Sequence, residues 1–240
     1  MKLSIIIPVY NEAGTIIATL EKVKRVVIPD ATKEIIVVDD GSDDGTNKLL
    51  DRYVGKNNTV RLVHHRVNQG KGAAVMTGIA RANGTHIVIQ DADNEYDPKY
   101  LPDLIRPILS KRKAVVYGTR LDRMPHIFRE EKRILFLLHY LGNRALSFIT
   151  SVLYGTWITD METCYKLFPK KALNGLTIHA KGFEFEPEVT AKLLRRGYAI
   201  CEVPITTIPR GPEEGKKLNT IRDGLRALIT LIRYRFGPLT

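Results

Sequence analysis

The triplet Asp91-Ala92-Asp93 closes an apolar run, residues 86–90, and Glu95 follows two positions later. Side chains at i and i+2 leave an extended strand on the same side, so Asp91 and Asp93 converge. Two buried carboxylates do not both stay ionised without a counter-charge, and oxygen-only ligands select a hard cation, Mg²⁺ or Mn²⁺. The same string also reads as a solvated acidic turn closed by Pro98; a second acidic pair, Asp39-Asp40, tips the reading toward the cation.

Asp39-Asp40-Gly41-Ser42 ends another apolar run. An acid placed there can accept from a base N–H or a ribose hydroxyl, as in dinucleotide-binding sheets. Asp40 is therefore taken as functional, whereas Asp43 and Asp44 read as helix-start and turn residues. Lys71, bracketed by Gly70 and Gly72 at an expected helix start, suits an anionic group. The surrounding string is not a Walker A loop, because His65 stands at the first glycine position and Gly72 replaces Ser or Thr. It also lacks the third glycine of a dinucleotide fingerprint, where Val75 stands. Gly118-Thr119-Arg120 adds a cation after a further apolar run. The six histidines form no HExxH and no Cys–His pairing, so structural roles are expected for them. No GxSxG occurs.

These groups need a scaffold. Residues 3–7, 34–38, 60–63, 86–90 and 114–118 are short continuous apolar runs, as in strands covered on both faces. Helical patterns lie between them, near 12–27, 44–54, 72–82 and 98–110. This alternation predicts an α/β fold: a mostly parallel sheet with helices on both faces, and ligands beyond the carboxyl ends of its strands. From residue 130 the alternation stops. Ile134, Leu138, Leu141, Ala145, Ile149 and Val152 recur at helical spacing, and so do Leu218, Ile221, Leu225, Leu228, Ile232 and Phe236.

The chain has 240 residues, enough for one large domain with a real core, and its 44% hydrophobic content excludes a disordered chain. Two cysteines, Cys164 and Cys201, exclude a disulfide scaffold and a Cys-based zinc module. The N-terminal run before Pro8 is too short for a signal peptide, and no stretch reaches membrane-spanning length, so a reducing, cytoplasmic setting is expected. Net charge is +11 and uneven. Residues 111–144 hold nine basic and three acidic side chains, and residues 210–240 hold seven and three. The excess coincides with the two late apolar helices. A basic surface of this kind serves nucleic acid, anionic lipid or a phosphorylated substrate.

Taken in order, Pro8-Val9-Tyr10-Asn11-Glu12, Asp39 to Ser42, Asn68 to Gly72, Asp91 to Asp93, Gly118 to Arg120 and Asp160 to Lys166 resemble the family 2 glycosyltransferases with a GT-A fold. Within these the chain looks most like the polyprenyl-phosphate branch of dolichyl-phosphate mannose and glucose synthases and undecaprenyl-phosphate sugar transferases. The resemblance runs from residue 3 to about residue 235. It implies a single domain over 1–240, with a nucleotide-sugar half at 1–120 and an acceptor half at 121–240. It puts Pro8, Tyr10, Asn11 and Glu12 on the nucleotide, Asp40 on the nucleoside and Lys71 nearby. Asp91, Ala92 and Asp93 fall along the diphosphate, with Asp91, Asp93 and Glu95 as ligands of Mg²⁺ or Mn²⁺. Arg120, Arg210 and Lys217 (or Lys216) fall on phosphates of donor and acceptor, and Glu184 borders the acceptor side. Asp93, Arg120 and Asp160 are the expected catalytic set. Asp160 retains two readings, a role near acceptor or sugar and an N-cap after Thr159.

The implied activity is inverting transfer of a hexose from GDP-mannose or UDP-glucose to a polyprenyl phosphate, at the cytoplasmic face of a membrane. Many relatives carry transmembrane helices where this chain stops, so a peripheral enzyme, a homo-oligomer or a domain with a separate membrane partner is expected. The alternative is the same donor chemistry with a soluble glycan or other non-lipid acceptor. Nucleic acid is not expected, because Phe136, Tyr140, Phe148 and Tyr154 lie within an apolar helical stripe and are not interleaved with basic residues.

Overall fold

The structure, a computed structural model, describes residues 1–56, 59–110, 114–120, 133–208 and 220–239. Its centre is strand β1 (Lys2–Val9), in which Leu3, Ser4, Ile5, Ile6 and Ile7 are all fully buried. Consecutive buried residues on a strand require cover on both faces, and β-branched Ile and Val pack well there. β2 (Thr32–Asp39) and β4 (His86–Ile89) flank β1 in parallel, and β3 (Val60–His64) pairs with β2. β5 (Val115–Thr119), β6 (Lys166–Pro169) and β7 (Ile200–Pro204) complete a seven-stranded sheet of order β3-β2-β1-β4-β6-β5-β7. Among the described strands of the sheet, β6 alone runs antiparallel, between β4 and β5.

The five apolar runs expected to be strands are β1 to β5. The helices between them are α1 (Ile16–Arg25), α2 (Thr46–Val54), α3 (Lys71–Arg81) and α4 (Leu101–Leu109). After them come α5 (Arg133–Tyr154), α6 (Phe185–Arg195) and α7 (Thr220–Phe236). β6, β7 and α6 carry no pattern that announces them: β6 is four residues long, and α6 is buried over Phe185–Leu193, so it has no polar face from which to read a period.

The chain order reverses at β1, which has β2 on one side and β4 on the other. In parallel sheets such a reversal opens a crevice outside the carboxyl ends of the strands. The loops Tyr10–Glu12, Asp40–Gly45 and Asp91–Glu95 all lie there. A cleft lined by Asn11, Glu12, Asp44, Asp93 and Asn94 runs between them.

Glycines set how closely the surrounding chain approaches this crevice. Gly70 has φ +99°, and a Cβ on Gly72 would lie 2.4 Å from the Ala180 carbonyl oxygen. Both pack directly on backbone 180–182, and Ala73 N donates to Lys181 O at 3.2 Å. Gly72→Ala is therefore expected to push the 180–182 segment away and to lower unfolding free energy by about 2 kcal/mol, an overpacking effect measurable by denaturant titration.

Candidate functional site

Asp40, at the end of β2, is buried and fully engaged. It accepts from Gln69 N at 3.0 Å and Gly70 N at 2.7 Å, and contacts His65 Nδ1 at 2.6 Å. It thus ties β2 to the loop that carries Lys71. The neighbouring Asp39 holds His64 at 2.8 Å and accepts from Ser42 N. Both histidines are braced on carboxylates, as structural histidines are. Burial disfavours charge on His64, but Asp39 and Asp51 outweigh it and raise its pKa above the ordinary value.

The loop after β1 is fastened to the loop after β2. Asn11, at φ +51°, donates from Nδ2 to Asp43 at 2.7 Å and accepts from Asp43 N at 3.0 Å. Asn11 N donates to Ser42 Oγ, Glu12 N to Thr46 Oγ1 and Ala13 N to Asp44 Oδ2. Asp43 and Asp44, read from the sequence as turn residues, are also the clasp of this loop. Tyr10, Asn11 and Glu12 are left half-buried at its surface, with Pro8 half-buried near the end of β1.

Beyond β4, Gln90 is fully buried and donates to the Tyr96 and Asp91 carbonyls, while Tyr165 donates to its Oε1 at 2.7 Å. Ala92 O accepts from Thr19, and Asn94 turns at φ +63° with its Oδ1 on Thr19 and Lys22. The acidic turn is thereby held from both sides. Asp93 Oδ1 accepts from Glu95 N at 3.1 Å. Asp91 is directed at Lys71, 3.0 Å away, and Lys71 also reaches Glu186 at 2.9 Å. Burial works against the Lys71 ammonium, yet Asp91 and Glu186 hold its pKa well above the ordinary lysine value. The anion expected beside Lys71 is, in this structure, this pair of carboxylates.

The oxygen-only donors of Asp91, Asp93 and Glu95 suit Mg²⁺ or Mn²⁺. Among the described residues, however, no group of three or more His, Cys, Asp or Glu converges tightly enough to hold an ion on protein ligands alone. Oxygens of a bound diphosphate would have to complete the coordination.

Asp160 is fully buried, and its position bears on one of the two readings left open. It does not cap a helix. It accepts from Arg120 Nε at 2.7 Å, Arg120 Nη2 at 2.8 Å and Arg120 N at 2.9 Å. Such a two-pronged pair fixes the plane of the guanidinium, which also lies 5.7 Å from the Tyr96 ring centre. Glu202 on β7 accepts from Thr159 N and Asp160 N, both at 2.9 Å, and so holds the segment in place. Asp160 is thus the group that positions Arg120.

Glu184 accepts from Gly182 N at 3.1 Å and Lys181 N at 3.3 Å, bracing the segment on which Gly70 and Gly72 rest. Arg210 and Lys217 lie outside the described residues. Glu186, Glu202 and Tyr96 were missed by the sequence reading. Glu186 lies in the acidic first turn of α6, with Glu188, and nothing local singles it out. Its Oε2 is buried without a hydrogen-bond partner, as is Glu162 Oε1. Burial, and then Glu186, push the Glu162 carboxyl up to about 8.

Residues 4–176 match the model of Glycosyl transferase family 2. The chain is 32% identical to the UDP-N-acetylglucosamine–dolichyl-phosphate N-acetylglucosaminyltransferase of Methanococcus voltae, over 98% of this chain and 96% of that protein. It is 28% identical to the undecaprenyl-phosphate mannosyltransferase of Micrococcus luteus, over 99% and 100%. Among solved structures, glucosyl-3-phosphoglycerate synthase of Mycobacterium tuberculosis, in complex with Mn²⁺, UDP and phosphoglyceric acid, superposes with a TM-score of 0.71 at 21% identity, over 99% of this chain and 79% of that one. That likeness is one of fold.

Two outcomes test the geometry. Asp160→Asn leaves the buried side of Arg120 without its counter-charge and is expected to lower unfolding free energy by about 3 kcal/mol, read by chemical denaturation. His64, with its folded pKa raised above the unfolded one, stabilises fully below the unfolded pKa of 6.5, and that contribution is lost as pH rises through the folded value. His64→Gln should therefore flatten the decline of melting temperature with pH just above pH 6.5, with little effect well above it.

Proposed function

The chain belongs to glycosyl transferase family 2, and from that premise we propose that this glycosyltransferase moves a hexose from GDP-mannose or UDP-glucose onto a polyprenyl phosphate, with inversion at the anomeric carbon. The observation that carries the reading is the crevice at the β1/β4 reversal. There a cleft lined by Asn11, Glu12, Asp93 and Asn94 opens on the acidic turn, whose Asp91 reaches Lys71, and the Tyr96 that follows the turn lies beside the Arg120 guanidinium. Full-length relatives named for dolichyl and undecaprenyl phosphate support the lipid acceptor.

In this reading residues 1–120 receive the donor and residues 121–240 receive the acceptor, within one domain. Tyr10, Asn11 and Glu12 line the nucleotide, and Asp40 acts by holding the Gln69–Lys71 loop against it. Asp93, with Asp91 and Glu95, would hold the divalent cation, which offsets the charge that develops on the leaving diphosphate. Arg120 adds a fixed positive charge at the same leaving group, and Asp160 keeps it aimed. Lys71 sits between Asp91 and Glu186 and balances their charge. A phosphate oxygen of the acceptor forms the new bond to the anomeric carbon while the bond to the diphosphate breaks. That oxygen is already ionised near neutral pH, so no side chain is required as a strong general base. Arg210, Lys217 and Glu184 are assigned to the acceptor side. The acceptor, being a lipid, puts the reaction at a membrane surface on its cytoplasmic face.

A panel of nucleotide sugars assayed with a short prenyl phosphate and with soluble phosphorylated acceptors, with and without Mn²⁺ or Mg²⁺, tests the proposal. Metal-dependent transfer to the prenyl phosphate is expected, and Asp93→Ala should reduce it by at least 100-fold, of the order seen when a charge-stabilising group is removed. Transfer only to a soluble acceptor, or full activity in Asp93→Ala, would contradict the respective assignment.

A further inference from the structure

Tyr96 directly follows the acidic turn and is only 3% exposed. Four parts of the chain meet on it. Gln90 Nε2 donates to Asp91 O at 3.1 Å and to Tyr96 O at 2.9 Å, and Asp93 Oδ1 accepts from Glu95 N. Residues 91–96 are thereby closed into one piece, of which Tyr96 is the far end. The Tyr96 ring centre lies 5.7 Å from Arg120 Cζ, within the range at which a guanidinium is attracted to an aromatic ring. Its hydroxyl oxygen accepts from Cys164 N at 3.1 Å, in the segment that runs from Asp160 to β6. Its backbone bridges Thr207, and next to it Ile208 N donates to Glu95 O at 3.1 Å.

The ring is itself held in place. Tyr165 packs against it at 67°, with ring centres 5.1 Å apart, and the Tyr165 hydroxyl donates to Gln90 Oε1 at 2.7 Å. The contacts thus run in a circuit from Gln90 through Tyr96 and Tyr165 back to Gln90. Burial raises the Tyr96 pKa above the ordinary tyrosine value, so the group beside Arg120 is a neutral ring and not a phenolate. Asp160 and Tyr96 do different things to Arg120. Asp160 fixes the guanidinium plane, and it is anchored away from the turn, its own N–H on Glu202 of β7 and the Met161 N–H on Ser147 of α5. Tyr96 belongs to the turn. We propose that Tyr96 is a positioning residue that sets the distance between the acidic turn and the Arg120 guanidinium, so that both act together on the leaving diphosphate. The proposal rests on the donor chemistry described above and goes beyond it by naming the group that keeps its two halves in register. A misplacement of about 1 Å at such a site costs roughly 100-fold in rate.

The test is a double-mutant cycle on nucleotide-sugar turnover with Mn²⁺, read both as transfer to a short prenyl phosphate and as hydrolysis without acceptor. Tyr96→Leu is expected to lower kcat at least about 30-fold and to change the donor KM less than about threefold, because the ring acts on the charge that develops at the leaving group and not on the nucleotide. Tyr96→Phe, which keeps the ring, should recover all but about fivefold of that loss. In an Arg120→Lys background, where a point charge replaces the planar fork, Tyr96→Leu should cost less than about fivefold. A side chain that only fills the core lowers both backgrounds by the same factor. That result, or a Tyr96→Phe variant as poor as Tyr96→Leu, overturns the proposal. Far-ultraviolet dichroism and denaturant titration check that the variants are folded. Tyr96→Met, whose unbranched chain refills much of the space, repeats the cycle if the leucine variant does not fold. The two readings fail separately. Hydrolysis that follows the cycle, with no transfer to prenyl phosphate, sinks only the acceptor, and transfer by the parent with equal losses in both backgrounds sinks only Tyr96. A parent that turns over no nucleotide sugar overturns both.

Discussion

Lys71, Asp91 and Glu186 come from three elements far apart in the chain, the start of α3, the end of β4 and the start of α6, yet they meet within 3.0 Å. None of the three charges is tolerable alone in that place. A carboxylate as buried as Glu186 needs a cation, and Lys71 supplies one shared with the acidic turn. This constraint joins the two halves of the chain. The glycines on either side of Lys71 let the backbone come close enough for the lysine to be shared, and the braces at Asp40 and Glu184 hold the two loops that carry it there.

A second regularity runs through the site. Its acids are mostly spent on backbone N–H groups: Asp40 on Gln69 and Gly70, Asp44 on Ala13, Glu184 on Gly182, Glu188 on His179 and Ala180, Glu202 on Thr159 and Asp160. Loops beyond the carboxyl ends of a parallel sheet expose several donors that no strand can satisfy, and a carboxylate accepts two or more at once. Rigid loops follow, and rigid loops are what a site for a charged, flexible donor requires. The same fact explains why an acid in such a loop is a poor guide to ligand contact. Asp160 gives the clearest instance, since among the described residues every hydrogen bond it accepts comes from Arg120.

The late helices follow a related logic. Apolar spacing normally marks the face turned to the core, but on α5 the core needs hydroxyls to anchor residues 158–161, so serines and a threonine face in. On α7 the inward contact is made by Tyr234, whose ring centre lies 4.3 Å from Lys192 Nζ, and by Leu231. What remains for the outside is the greasy stripe and its arginines.

The sequence by itself determined the five parallel strands, the helices between them and the polar loops at the strands' carboxyl ends, because buried parallel strands and amphipathic helices write local, periodic signals, whereas the reversal of strand order at β1 came from the tertiary structure. It also set the family, through strings whose order along the chain is itself the evidence. Tertiary structure alone decided that Asp160 holds Arg120, that Glu186 shares Lys71, and that Glu202 pins the segment between them, for these are contacts across 40 to 115 residues of chain that no local pattern encodes. It decided, too, which way α5 and α7 turn. Periodicity tells that a helix has an apolar side; only the partners packed against its other side tell whether that stripe faces the core or the surroundings.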